Sequence, residues 1–128
     1  MAIKYKVVAQ KQPGVKGGGQ TKYYARICNR KKVSLKQIAE EIESATIIHH
    51  VDFHAINQAL LNWIPKHLLE GNSVWLTDLG TFTVSLTSKP SDSPEKVSAA
   101  DIIKVNVQFR PSPEFKQKLL NVKFEKVS

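Results

Sequence analysis

Histidine is the side chain best placed to do chemistry near neutral pH, and three of this chain's four histidines crowd one stretch: His49, His50 and His54, with His67 further on. His50 and His54 stand four residues apart, which puts two imidazoles on one helix face, a spacing that can hold a metal ion. No carboxylate or thiol completes the set, and a histidine at a helix start is commonplace, so no metal site and no cofactor are expected. Catalysis finds no better foothold. The serines, histidines and aspartates occur without a nucleophile elbow, a Walker motif, a zinc-hydrolase motif or a paired-carboxylate context. Gly17-Gly18-Gly19 lacks the Lys-Ser/Thr of a phosphate loop and does not open a helix; it is a linker. The expectation is a protein that is not an enzyme and takes no small-molecule substrate. The single Cys28 can form no internal disulfide and belongs to no cysteine pair that could hold zinc, so a reducing cytoplasm is the default.

Charge is the next source of chemistry. The chain has 128 residues with a net charge of +8 and a pI near 9.7, which points to a polyanionic partner. Residues 1–33 carry Lys4, Lys6, Lys11, Lys16, Lys22, Arg26, Arg30, Lys31 and Lys32 without one acid. Those nine cations leave ten of the 19 for residues 34–128, against all 11 acids, a net of −1. Ordinary surfaces mix signs, so this segregation argues for phosphate contact over mere solubility. Lys89, Lys96, Lys104 and Arg110 are the remaining candidates. Lysine neutralises phosphate as a point charge, whereas reading base edges needs a rigid, bidentate Arg, Asn or Gln; little sequence discrimination is expected. Tyr23 and Tyr24 lie amid the lysines and fit either base stacking or packing of their own segment. Trp63 and Trp75 fit core or interface anchors better than stacking platforms.

Several elements must position these residues. Ile3 to Gln10 and Tyr23 to Cys28 read as strands, joined across Pro13-Gly14 and Gly17-Gly18-Gly19 by a flexible cationic loop. A two-stranded hairpin is marginal alone and must lean on something. Ser34 and Gln37 form a capping-box pattern ahead of Leu35, Ile38, Ala39 and Ile42, a short helix ending near Ala45. A second helix is expected from His49 or His50 to Glu70, stopped by Gly71 and kinked at Pro65, with Phe53, Ile56, Ala59, Leu60, Trp63, Ile64 and Leu68 apolar. That stripe is wide for so small a protein and implies burial against a second subunit. Val74 and Leu76, then Phe82, Val84 and Leu86, alternate with polar residues as strands with one wet face, with Asp78-Leu79-Gly80 as the turn. Lys89 to Glu95 cannot be regular. A third strand returns over Ile103–Phe109, and a terminal helix over Glu114–Asn121 turns Phe115, Leu119 and Leu120 inward, with Pro113 in its first turn. No apolar run is long enough to span a membrane and no signal-peptide core is present.

The segment Gly71-Asn72-Ser73-Val74-Trp75-Leu76-Thr77-Asp78-Leu79-Gly80-Thr81-Phe82-Thr83-Val84 resembles the Gly-x-x-Val-x-Leu-x-Gly-Phe-Gly-Thr-Phe-x-Val pattern of the bacterial histone-like HU/integration-host-factor family. Phe109-Arg110-Pro111-Ser112-Pro113-Glu114-Phe115-Lys116 is similar to the family's passage from third strand to last helix. The resemblance covers about residues 34–121, and the N-terminal hairpin resembles the extension of a divergent HU-like branch. It implies an α+β fold: two helices, a three-stranded antiparallel sheet with a long β-arm, and a C-terminal helix, as an intertwined homodimer. Residues 1–33 would be a basic hairpin extension and residues 34–128 the HU-like domain.

The implied function is non-sequence-specific binding of double-stranded DNA by a nucleoid-associated, architectural protein of the cytoplasm, condensing or mildly bending its target. Leu79, Gly80 and Thr81 would offer backbone N–H groups to phosphate, Lys89, Lys96, Lys104 and Arg110 the arm's charge, and Lys4, Lys6, Lys16, Lys22, Arg26, Arg30, Lys31 and Lys32 the extension's. The arm tip departs from the pattern: Ser88-Lys89-Pro90-Ser91-Asp92-Ser93-Pro94-Glu95-Lys96 replaces Arg-Asn-Pro-x-Thr-Gly. Thr83, Ser85 and Thr87 stand where arginines usually line the second strand, and Asp78 replaces the turn's first glycine. The alternative is a structural or protein-interaction module on an HU-like scaffold that has lost DNA bending. RNA is the third candidate, to be separated by competition with duplex DNA.

Overall fold

The computed structural model describes residues 2–12 and 14–127, so Pro13 lies outside the described residues. The chain divides into two compact units, one of Met1–Ser34 with Leu120–Ser128, the other of Leu35–Leu119.

The first unit is a three-stranded sheet. β1 (Ile3–Lys11) pairs antiparallel with β2 (Thr21–Ile27), with Tyr5 opposite Ile27 and Lys11 opposite Thr21. The expected support for the hairpin comes from the far end of the chain. β6 (Phe124–Lys126) pairs parallel with β1, Ile3 opposite Phe124 and Tyr5 opposite Lys126, in the order β2-β1-β6. The N–H of Ile3 donates to Lys123 (2.8 Å), and that of Val127 to Tyr5 (2.8 Å). Alternation in the sequence could not reveal β6: three residues are too few for a period, and their partner lies more than a hundred residues away. The glycine-rich tip contains a turn. Lys16–Gly18 form a 3-10 turn, Gly17 takes φ +79, and the Gln12 N–H closes on Gly18 (2.9 Å).

The second unit follows the expected order. α1 spans Leu35–Ala45 and packs against α2, His50–Leu69. His49 caps α2, its ring nitrogen accepting the Val51 N–H at 3.2 Å. The helix passes through Pro65 and ends at Gly71, which takes φ +87 as the C-terminal stop. β3 (Val74–Trp75), β4 (Gly80–Ser88) and β5 (Ile102–Pro111) form an antiparallel sheet in that order. The ladder between β4 and β5 ends at Ser88 opposite Ile102, after an irregularity at Thr87/Ser88. Instead of a long β-arm, the intervening residues carry two 3-10 turns, Pro94–Lys96 and Ala99–Asp101. Lys89 to Glu95 is therefore not wholly irregular. Ser98 and Asp101 cap the second turn reciprocally, the Ser98 N–H donating to Asp101 Oδ2 at 3.0 Å.

The last helix is shorter than expected. α3 covers Pro113–Gln117, and Leu119 and Leu120 are exposed (62% and 75%), because the chain leaves the helix here to reach β6. Among the described residues only Ala39 and Leu68 are buried apolar side chains, and no large side chain is fully buried. Val51, Ile56, Leu60, Leu61 and Trp63 of α2 are all exposed, as are Leu86, Val105, Val107 and Phe109 on one face of β4–β5. The single chain has the patterning of a core without the core itself.

Candidate nucleic-acid interface

Cross-strand partners share a face of a sheet and successive residues alternate between faces, so the register of the first unit sorts its side chains. Ile3, Tyr5, Val7 and Ala9 stand with Tyr23, Ala25, Ile27 and Phe124 on one face. On the opposite face Lys6 pairs with Arg26, Gln10 with Lys22 and Val8 with Tyr24, while Lys4 lies beside Glu125. The structure therefore gathers four of the expected cations, Lys4, Lys6, Lys22 and Arg26, onto one surface with a half-exposed tyrosine among them. It also separates the two tyrosines: Tyr24 belongs to the cationic face and Tyr23 to the apolar one. Lys16 lies in the turn at the tip. Arg30, Lys31 and Lys32 follow β2, and Arg30 and Lys31 line an open hollow with Lys4 and Asn29.

The added strand deepens the charge separation. Lys123 and Lys126 join the first unit with Glu125, giving it eleven basic residues and one acid, a net of +10. The second unit retains eight basic residues against ten acids, a net of −2. Among the described residues no lysine or arginine lies within 4.0 Å of a carboxylate; the ion pairs present all involve histidine. The cations are not neutralised from within.

In the second unit Lys104 and Arg110 share the polar face of β4–β5 with Thr81, Thr83, Ser85 and Thr87. Six residues of strand separate the two cations, about 20 Å at the usual rise. Asn106, which the sequence reading passed over, donates across the ladder to Thr87 Oγ1 at 2.8 Å. Alternation alone could have placed it there. No acid occurs in either strand. Lys89 follows β4 and Lys96 lies in the first 3-10 turn, so neither joins that ladder face, and Asp92, Glu95 and Asp101 occupy the same connection.

The turn at Leu79-Gly80-Thr81 is held internally. The Leu79 N–H donates to Leu76 (3.1 Å), the Leu76 N–H to Gly80 (2.8 Å), and the Ser112 N–H to Leu79 (3.1 Å). Gly80 is buried at φ +155, where a Cβ would lie 2.7 Å from the Phe109 ring and collide with the Arg110 carbonyl. The glycine thus answers first to packing under β5. Ser112, buried and also unremarked in the sequence, donates its hydroxyl to the Asp78 carbonyl and accepts the Phe115 N–H at 3.0 Å, tying the turn to the start of α3.

The histidines correct one expectation outright. A carboxylate does reach them: Glu43 Oε2 lies 2.6 Å from His50 Nδ1 and 3.8 Å from His49 Nδ1. Six residues of chain hide this neighbour from a reading of helical spacing.

Two helices, a three-stranded antiparallel sheet and a short closing helix define an HU-like α+β body, here combined with a second sheet. Residues 1–126 match the family described as HU-HIG, an HU domain fused to a wHTH, Ig or glycine-rich motif, and the chain belongs to that family. The structure is also similar to a solved structure of a candidate bacterial DNA-binding protein from Bacteroides vulgatus. The TM-score is 0.67 at 9% identity, over 98% of this chain and 48% of the other, so the likeness is one of fold. The chain spans about half that protein's length. No curated protein matches the chain. Among the described residues no helix is long and apolar enough to cross a membrane.

Proposed function

We propose that the chain is an architectural DNA-binding protein that engages the backbone of double-stranded DNA with little regard to sequence, as a homodimer in the bacterial nucleoid. One observation carries the reading: Lys4, Lys6, Lys22 and Arg26 share one sheet face, where Glu125 beside Lys4 is the one acid and no lysine or arginine is ion-paired among the described residues. Unpaired cations exchange water and counterions for phosphate without first breaking a salt bridge. The description of the Bacteroides vulgatus protein and the HU part of the family description support the choice of DNA. On the second unit, Lys104 and Arg110 supply backbone contacts from a face rich in hydroxyls. Lys89 and Lys96 add charge on the same unit, and Lys16, Arg30, Lys31 and Lys32 on the first. Leu79, Gly80 and Thr81 would position the backbone only through N–H groups left over from the turn.

The uncovered apolar surface of α2 and of β4–β5, whose burial is worth roughly 25 cal/mol per Å², supports dimerisation. A salt titration tests the DNA reading. If about six cations meet phosphates, affinity for a duplex falls on the order of 10³-fold between 50 and 200 mM salt. Absence of binding at low salt would abandon the reading. The net charge of −2 on the second unit and the carboxylates of its β4–β5 connection favour the second candidate, a protein-interaction module. Saturable binding to duplex DNA that RNA duplex displaces poorly separates DNA from both alternatives.

A further inference from the structure

The corner between α1 and α2 assembles a group of side chains that DNA binding leaves unused. The Thr46 N–H and hydroxyl both donate to the Ile42 carbonyl (2.9 and 2.7 Å), and the Ile48 N–H donates to Thr46 Oγ1 (3.1 Å). This tight corner folds the last turn of α1 back upon the start of α2. Glu43 there meets two imidazoles stacked 4.4 Å apart, and one ligand atom from each of Glu43, His49 and His50 falls within 4.8 Å of the others. His54, one turn beyond His50, lines the same hollow, together with Glu40 and Lys36.

We propose that Glu43, His49 and His50 form a binding site for a divalent transition-metal ion of the Zn²⁺ type, with His54 available as a fourth ligand. Imidazole nitrogen with one carboxylate is a donor set that zinc accepts in tetrahedral geometry, whereas Mg²⁺ and Ca²⁺ require oxygen. The ion takes the place of the hydrogen between His50 Nδ1 and Glu43 Oε2, which lie 2.6 Å apart, and the ligating imidazole carries its one N–H on Nε2. Tetrahedral zinc holds its ligand atoms about 3.3 Å apart, so the 2.6 Å pair of His50 and Glu43 must open while the wider separations close. The three side chains are 39–57% exposed. His49 gives up the Val51 N–H to coordinate through Nδ1, or turns Nε2 inward. The helix start and Lys36 oppose a cation, while Glu43 and Glu40 favour it. The Glu43 carboxyl is held below its ordinary value, chiefly by the His50 backbone N–H, so it is ionised at neutral pH without the metal. Bound there, the ion would tie α1 to α2 across their corner.

The test uses the full chain stripped with chelator, titrated with Zn²⁺ by calorimetry and with Co²⁺ by visible absorption. The expected result is saturation at one ion per chain, without competition from Mg²⁺. Glu43→Gln and His50→Ala should each weaken binding at least about tenfold, and His67→Ala, outside the cluster, should leave it unchanged. Chemical-shift mapping of the unmodified protein should place the largest Zn²⁺-induced changes at residues 43, 49 and 50, whether or not the variants fold. Lack of saturation, changes centred on His67, or wild-type affinity in both cluster variants would overturn the proposal. None of these readouts involves DNA.

Discussion

At the scale of single residues, the positions that matter most are those whose role depends on one neighbour. Gly80 sits at φ +155 against the Arg110 backbone, so Gly80→Ala meets both strain and collision. It should destabilise the protein by about 1–3 kcal/mol in urea denaturation, more than alanine at Gly14, which shares the positive φ but has open space around it. Ser112→Ala removes the cap of α3 and the donor to Asp78, an expected loss of about 1 kcal/mol or somewhat more. Lys6 and Arg26 face each other across β1 and β2. The double change Lys6→Ala with Arg26→Ala should weaken DNA binding similarly for unrelated duplex sequences and flatten the log–log salt slope by about 2. A loss confined to one sequence would instead indicate base reading.

At the scale of elements, β6 decides whether the hairpin is a stable sheet. Truncation after Asn121 removes it, leaving β1 with one partner. Amide exchange in Ile3–Lys11 should then accelerate strongly, while α1 and α2 keep their protection. Unchanged exchange in β1 would mean that the hairpin is held by something else. The elements differ in how legible they were. α2 announces itself by an apolar stripe that ends ahead of a glycine, and β4 and β5 by strict alternation, because each repeats its period several times. β6 repeats nothing, and α3 stops at Gln117 because the chain beyond it goes on to β6. The candidate site shows the same division. The cations could be named from composition, but only the pairing of Lys6 with Arg26 and Lys22 with Gln10 shows that they share one face. Glu43 was unreadable as a histidine partner because the corner, not a helical repeat, brings it there.

At the scale of the whole molecule, exposed Ile56, Leu60 and Trp63 recur at helical spacing along α2 and ask for a second chain. Sedimentation equilibrium should give about twice the chain mass of 14.4 kDa. Leu60→Asp, which places a charge in that stripe, should shift the protein toward monomer and lower its thermal stability. A wild-type protein that stays monomeric at micromolar concentration would remove the dimer from the proposal. The charge division between the units belongs to this scale too: the strongly cationic sheet should provide most of the salt-dependent affinity, the second unit mainly the framework.

The amino-acid order alone determined which segments are helical, which alternate, and that the basic residues cluster in the first 33 positions. These are properties of near neighbours, written in periods of 3.6 and 2 and in local composition. Tertiary structure alone decided that the last strand joins the first, that four cations form one face, that the β4–β5 connection coils into 3-10 turns, and that Glu43 closes on His49 and His50. Each depends on contacts between distant or irregularly spaced residues, whose energy exists only once the chain has folded to make them.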